Sequence, residues 1–332
     1  SALSAGENGV EEGDASLEAF RQAADALVRD EEPLEWALAQ SLVGDALLIR
    51  EGGDPLADAA AAVDAYRAAL EFLDESEHRE EWAVTQASLG IALSAGEAGD
   101  SLDQALAAFR AAEGALSAED QPAWSEVLGD LGTTYRLLEP TEEHLRAAAD
   151  AYRRGAEGDL REIAPASWAS LKSQQGTALE ELAELATFEE RGELLGAAEQ
   201  AYREALEVDT SGEDPLPRAM TLNNLVSLLC DRHAEGADAE RVGGDALDAC
   251  REALALVQRG EHPATWVALQ HNLGDVHARL FAGEGEHETA AREAYEAALG
   301  ACAEFDLAEG TGEELVEEIR ASLGALASEG EG

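Results

Sequence analysis

The sequence predicts an all-α solenoid built from antiparallel helix pairs, and three observations carry that prediction. All five tryptophans of the 332-residue chain stand in one local context, at Trp36, Trp82, Trp124, Trp168 and Trp266. Eight residues after each comes a glycine: Gly44, Gly90, Gly132, Gly176 and Gly274. An alanine-rich segment centred on one large residue then follows, and a fixed order of this kind at intervals of 42 to 50 residues marks a repeat array.

The first helix of each unit, A, is set by the Trp slot. Arg218 occupies that slot between Trp168 and Trp266, with Val226 in place of the glycine, so the slots are 36, 82, 124, 168, 218 and 266. Pro33, Pro122, Pro165, Pro215 and Pro263 lie two or three residues before a slot, where a missing N–H costs little at a helix start. The second helix, B, is marked by Tyr66, Phe109, Tyr152, Tyr202, Cys250 and Tyr295. Four residues before each marker stands an alanine (Ala62, Ala105, Ala148, Ala198, Ala246, Ala291), and three after it an alanine or Gly155. Those offsets share one helical face, so small residues admit a close helix approach while the large residue fills the gap. Gly, Asp and Glu collect between the A and B helices, as in Glu51–Asp54 and Gly283–Glu286, and these segments are loops. The whole of 1–332 reads as a single continuous array.

The ends depart from the repeat. Ala2–Glu7 is identical in sequence to Ala92–Glu97, so the chain is expected to open in the last turn of a truncated A helix. A B helix without most of its partner is predicted at about 15–29, with Phe20 in the aromatic slot and Ser16 and Ala23 in the small ones. An A-type helix is predicted at about 312–327, where Ser322–Gly324 repeats Ser88–Gly90 and Val316 takes the Trp slot. Leu315, Ile319, Leu323 and Leu326 form its apolar stripe, opposite Glu313, Glu314, Glu317 and Glu318. Three readings of the ends stand side by side. The last helix caps the array with a polar outer face, or the chain is part of a longer array. In the third, the two incomplete ends complete each other between molecules, with Phe20 packing over Gly324. The interface residues then expected are Ser16, Phe20, Ala23, Leu315, Val316, Ile319, Leu323 and Gly324.

The pattern resembles the tetratricopeptide repeat (TPR) family, through the glycine of helix A and the alanine–aromatic–alanine signature of helix B. The stretch Trp82–Gly90 is most similar to a long-unit bacterial type with Pro…Trp-Ala…Leu-Gly in helix A. The resemblance implies a right-handed superhelix with the A helices on the concave face, where such proteins bind partners. By that analogy the candidate binding residues are Ser41, Asp45, Arg136, Asn223, His271, Asp275 and Arg279. The family's carboxylate clamp for peptide C-termini needs lysines, and Lys172 is the only lysine here.

Charge narrows the function further. A net charge of −49 repels phosphate backbones and anionic lipid, so nucleic acid and membrane surfaces are unfavourable partners. No apolar run of about 18 residues spans a bilayer. The acid is spread over every unit, which reads as adaptation of a whole surface to concentrated salt. No catalytic residue, cofactor or metal site is predicted. His287–Glu288 lacks the second histidine of a zinc-protease helix and reads as a solvated loop pair; Gly310–Gly312 reads as a helix-entry turn. Cys230, Asp231 and His233 are too close along one helix end to converge on an ion, and His271 with Asp275 reads as a local pair one turn apart. The acidic loops lack a calcium-loop ligand pattern. Three cysteines, Cys230, Cys250 and Cys302, fit no disulfide framework. The expected function is a non-enzymatic protein–protein interaction scaffold, with head-to-tail self-assembly into a ring or filament through the end repeats. The alternative is an adaptor that holds a peptide or protein on the concave face. A soluble protein is expected, cytoplasmic or secreted after loss of a presequence.

Overall fold

The computed structural model describes every residue except 1, 51, 97–98, 118, 209–211, 213, 235–238, 282–284, 308–310 and 330–332. For 2–13, 99, 233–234, 239–240, 311–312 and 327–329 it describes the backbone alone. The fold is all-α, and no strand occurs among the described residues. Two compact units, 1–164 and 165–332, divide the chain.

The first unit holds α1 (Ala2–Ala26) and three hairpins: α2 (Pro33–Leu48) with α3 (Pro55–Leu70), α4 (Arg79–Ser94) with α5 (Gly99–Ala115), and α6 (Ala123–Leu137) with α7 (Glu142–Gly155). A four-residue helix, α8 (Leu160–Ile163), ends it. The second unit pairs α9 (Pro165–Leu185) with α10 (Phe188–Leu206), α11 (Pro215–Ala234) with α12 (Ala239–Leu256), and α13 (Pro263–Asp275) with α14 (Gly285–Glu304). A π-helical turn, Val276–Leu280, extends α13, and α15 (Thr311–Glu329) packs on α14. Pro33, Pro165, Pro215 and Pro263 each open their helix, and Pro122 directly precedes α6. Asp54 caps α3 by accepting from the Leu56 and Ala57 amides at 3.1 and 3.3 Å.

Within each unit the helices pack in sequence, each A against its own B and each B against the next A. Within a unit the A helices also touch one another, α2 on α4, α4 on α6, α9 on α11 and α11 on α13. Among the described residues no two B helices approach each other as closely, so the A layer is the more tightly packed layer of each unit.

The glycine–aromatic pattern is a point of close approach in five of the six hairpins. A Cβ added at Gly44 would stand 2.5 Å from Tyr66, and at Gly274 2.4 Å from Tyr295. Gly90 with Phe109, Gly132 with Tyr152 and Gly176 with Tyr202 repeat the arrangement. The arginine repeat inverts it: Val226 supplies the bulk from helix A, Cys250 is the small residue on helix B, and both are fully buried.

The Trp slot joins consecutive pairs. Trp82 packs with Phe72 and Leu34 over Ala37, Ala69 and Leu73. Arg29 lies 4.8 Å over the Trp36 ring and 4.6 Å over Phe72 while pairing with Glu71. Arg259 repeats this over Trp266 and Phe305 at 5.1 and 5.8 Å, paired with Glu304. Arg218, itself in the slot, donates to the Leu206 and Val208 carbonyls at 2.9 Å and pairs with Glu252. It satisfies the last carbonyls of α10, which a helix end leaves open.

Two local expectations change. The Ala2–Glu7 segment is not the end of a separate A helix, for α1 runs unbroken from Ala2 to Ala26 and stops short of Arg29. In α4 the helix instead ends at Ser94, within the identical segment. His287–Glu288 is not a solvated loop pair. It lies in the first turn of α14, where His287 bonds His277 through the two Nδ1 atoms at 2.7 Å and stacks on Phe281 with centroids 4.2 Å apart. Of the Cys230, Asp231 and His233 group, the His233 side chain lies outside the described residues, as do Gly310 and the loop from Gly283 to Glu284. α15 begins at Thr311.

Candidate functional site: two open helix faces

Four positions are buried in every full B helix: the marker, the residues one and four before it, and the residue three after it. In α3 these are Tyr66, Ala65, Ala62 and Ala69, and all are buried. The tetrads of α5, α7, α10, α12 and α14 are buried in the same way. In α1 the equivalent residues are Phe20, Ala19, Ser16 and Ala23, of which three are exposed and Phe20 is half-buried. The other side of α1 is closed, with Leu17 in the core of the first hairpin and Ala24 also buried. Among the described residues, no A helix covers the Ser16–Ala19–Ala23 face of α1.

The end of the second unit shows the reciprocal surface. In α15, Val316, Ile319 and Leu326 are buried against α14, and Leu315 and Leu323 are partly buried. Gly324 is exposed, and a Cβ placed there meets nothing within 4 Å. Its counterparts Gly44, Gly90, Gly132, Gly176, Val226 and Gly274 are all buried. All eight expected end residues therefore lie on α1 or α15. Val316 and Ile319 face inward within their own chain, Phe20 is half-buried against the core of the first unit, and Ser16, Ala23 and Gly324 are exposed. Ala19 was missed in the sequence, although its offset of one before the marker is occupied by alanine in every full B helix.

The A layer is closed by its own hydrogen bonds. The Ser41 and Thr85 hydroxyls lie 3.1 Å apart, Thr221 donates to Ser173 at 2.9 Å, and the Asn272 amide donates to Asn223 at 2.9 Å. Asp45 accepts from the Tyr66 hydroxyl at 2.8 Å and Asp275 from Tyr295 at 2.6 Å. Arg279 reaches Asp231 at 3.4 Å. His271 is 6% exposed, and its Nε2 lies 3.6 Å from Asp275, outside hydrogen-bond range. Arg136 is half-buried near the end of α6. Five of the seven A-face candidates, Ser41, Asp45, Asn223, Asp275 and Arg279, thus hold the array together.

Burial perturbs several acids of this layer. It raises the Glu180 carboxyl to about 7, aided by Asp231, Glu184 and Glu181 and opposed by a hydrogen bond from Tyr202. Asp130 is raised to about 6 by burial and by Glu126. Burial also pushes the Cys230 and Cys250 thiols up to about 12, which keeps them protonated and unreactive. Among the described residues, no group of three or more metal-type ligands converges, and no helix is long and apolar enough to cross a membrane.

No protein-family model matches the chain, and no curated protein matches it. The fold is similar to the C-terminal part of a TPR repeat-containing protein from Cytophaga hutchinsonii, with 9% identity and a TM-score of 0.51, over 89% of this chain and 92% of that one. BtubC (BKLC) from P. vanneervenii is 17% identical with a TM-score of 0.48, over 78% of this chain and 90% of that one. The first of these likenesses, with the sequential helix pairs, establishes a TPR-like repeat fold.

Proposed function

We propose that the protein is a non-enzymatic interaction scaffold of the long-unit TPR type whose copies join head to tail. The α15 helix of one copy receives the α1 helix of the next. One observation supports this most: the two surfaces left open at the ends, Ser16–Ala19–Phe20–Ala23 and the Gly324 slot, are the two halves of the interface that closes every internal hairpin. Such a contact is heterologous, giving a ring when its rotation closes and a filament when it does not. An adaptor reading of the A face is weaker, because most of its polar side chains are already spent on neighbouring helices.

Both partners are acidic, with Asp14, Glu18 and Asp25 on α1 and Glu313, Glu314, Glu317 and Glu318 on α15. Joining them is opposed at low ionic strength and released at molar salt, where the screening length falls to about 3 Å. The association therefore belongs to a concentrated-salt setting, and its partner is another copy rather than nucleic acid or membrane.

Sedimentation velocity across protein concentration in molar KCl tests the proposal. The wild-type chain should grow in mass with concentration, while Gly324→Phe and Ala19→Glu should remain monomeric with unchanged helix content. Both changes fall on positions that are exposed within one copy, so neither disturbs the fold. A wild-type chain monomeric at every salt, or variants that assemble as the wild type does, would overturn it.

A further inference from the structure

We infer that the residue directly after the slot glycine selects the aromatic of the B helix that docks on it, and that the α15 slot selects phenylalanine, specifically Phe20 of a second copy. The inference rests on the head-to-tail reading for its second half only.

The rule is visible inside the chain. Where a polar residue follows the glycine, the marker is tyrosine and its hydroxyl meets that residue: Tyr66 with Asp45 at 2.8 Å, Tyr152 with Thr133 at 3.1 Å, Tyr202 with Thr177 at 3.1 Å, Tyr295 with Asp275 at 2.6 Å. Where the following residue is Ile91, the marker is Phe109, which has no hydroxyl to satisfy. A second contact comes from the next A helix. Ser88 of α4 hydrogen-bonds the Tyr66 hydroxyl, and Ser322 of α15 that of Tyr295. Both serines stand six residues after their slot. Each of these phenols is therefore held between consecutive A helices, and burial there raises its pKa above the ordinary tyrosine value.

At a junction between copies, those two positions are filled by Ala325, after Gly324 on α15, and by Leu42, six residues after Trp36 on α2 of the incoming copy. Neither side chain offers a partner to a hydroxyl. A tyrosine there would bury an unsatisfied O–H, whereas phenylalanine buries only carbon. The incoming B helix carries Phe20, and the interface formed is continuous with the one that already runs through both units. The register also accounts for Leu42, an apolar side chain 43% exposed in the isolated chain at a position held by serine in α4 and α15.

Two experiments separate the rule from the assembly. In sedimentation velocity at molar KCl, Phe20→Tyr and Ala325→Asp should each weaken association about tenfold or more, the worth of one buried unsatisfied polar group. The two together should regain wild-type strength, because the new phenol can donate to the new carboxylate. In thermal unfolding at low salt, Phe109→Tyr should lower the midpoint and Ile91→Asp should restore it in the double variant. A Phe20→Tyr chain that assembles like the wild type overturns the selection at the junction while the head-to-tail reading stands. A wild-type chain that stays monomeric overturns that reading and the junction with it, and the hairpin arm then decides the rule alone. An unchanged midpoint for Phe109→Tyr ends the rule.

Discussion

Val226 and Cys250 exchange the volumes that Gly44 and Tyr66 hold in the first hairpin: the bulky residue is on helix A, the small one on helix B, and both are fully buried. The closest approach of the two helices is thereby filled in either arrangement, which shows that summed volume at this point, rather than a particular residue, is what the hairpin requires.

That exchange predicts compensation. Cys250→Tyr alone should overpack the α11–α12 contact and destabilise by about 1–3 kcal/mol. Adding Val226→Gly should recover most of the loss. Chemical denaturation of the three chains checks it, and a double variant no better than the single would show that the swap is not a volume exchange.

Glycine should have opposite effects at equivalent positions. Gly44→Ala drives a Cβ to 2.5 Å from Tyr66 Cε1 and should destabilise by about 1–3 kcal/mol. Gly324→Ala meets open space and removes a glycine from a helix interior, so in the monomer it should stabilise α15 by up to about 1 kcal/mol. Hydrogen exchange of α15 amides at low salt reads the second effect; faster exchange in Gly324→Ala would mean that the slot is already occupied.

The raised carboxyl of Glu180 sets a pH dependence. Its folded value of about 7 exceeds the ordinary 4.5, so the folded state holds the proton more tightly than the unfolded one. Stability from this group is complete below the lower value and declines as pH rises through that window. Glu180→Gln, which keeps an acceptor for the Tyr202 hydroxyl, should raise the melting temperature at about pH 8 and change it little at about pH 4. Equal shifts at both ends would exclude ionisation as the cause.

The Arg29 and Arg259 clusters predict that lysine is no substitute for arginine. Each guanidinium lies over two aromatic rings while pairing with a glutamate, contacts that a planar cation makes better than an ammonium. Arg259→Lys should cost about 0.5–2 kcal/mol, and Trp266 fluorescence should report the loosened ring.

Salt should stabilise the monomer as well as the assembly. With a net charge of −49, self-repulsion is largest where screening is weakest. The melting temperature should therefore rise steadily from about 0.01 M to about 1 M KCl, over which the Debye length falls from about 30 Å to about 3 Å. A flat or falling curve would show that the acid is balanced locally by the arginine pairs.

The repeat itself was legible in the sequence. A Trp slot, a glycine eight residues on and an alanine-flanked marker are local patterns at helical spacing, and each records a close contact that tolerates few residue sizes. The slot positions and the small and aromatic faces followed from that register alone. The tertiary structure decided what the register leaves open. Ala2–Glu7 lies inside α1, whereas α4 ends at Ser94 within the identical segment, so local identity did not decide the conformation. His287 is half-buried beside Phe281 and bonded to His277, which lies in the π-helical turn Val276–Leu280. Asp45, Asn223 and Asp275 were legible as inward-facing polar residues, but a side chain's partner across two helices depends on distances that no spacing along one helix encodes. The pairing of Tyr66 with both Asp45 and Ser88 needed three helices in place at once, and that is why the choice between tyrosine and phenylalanine appears only in the folded chain.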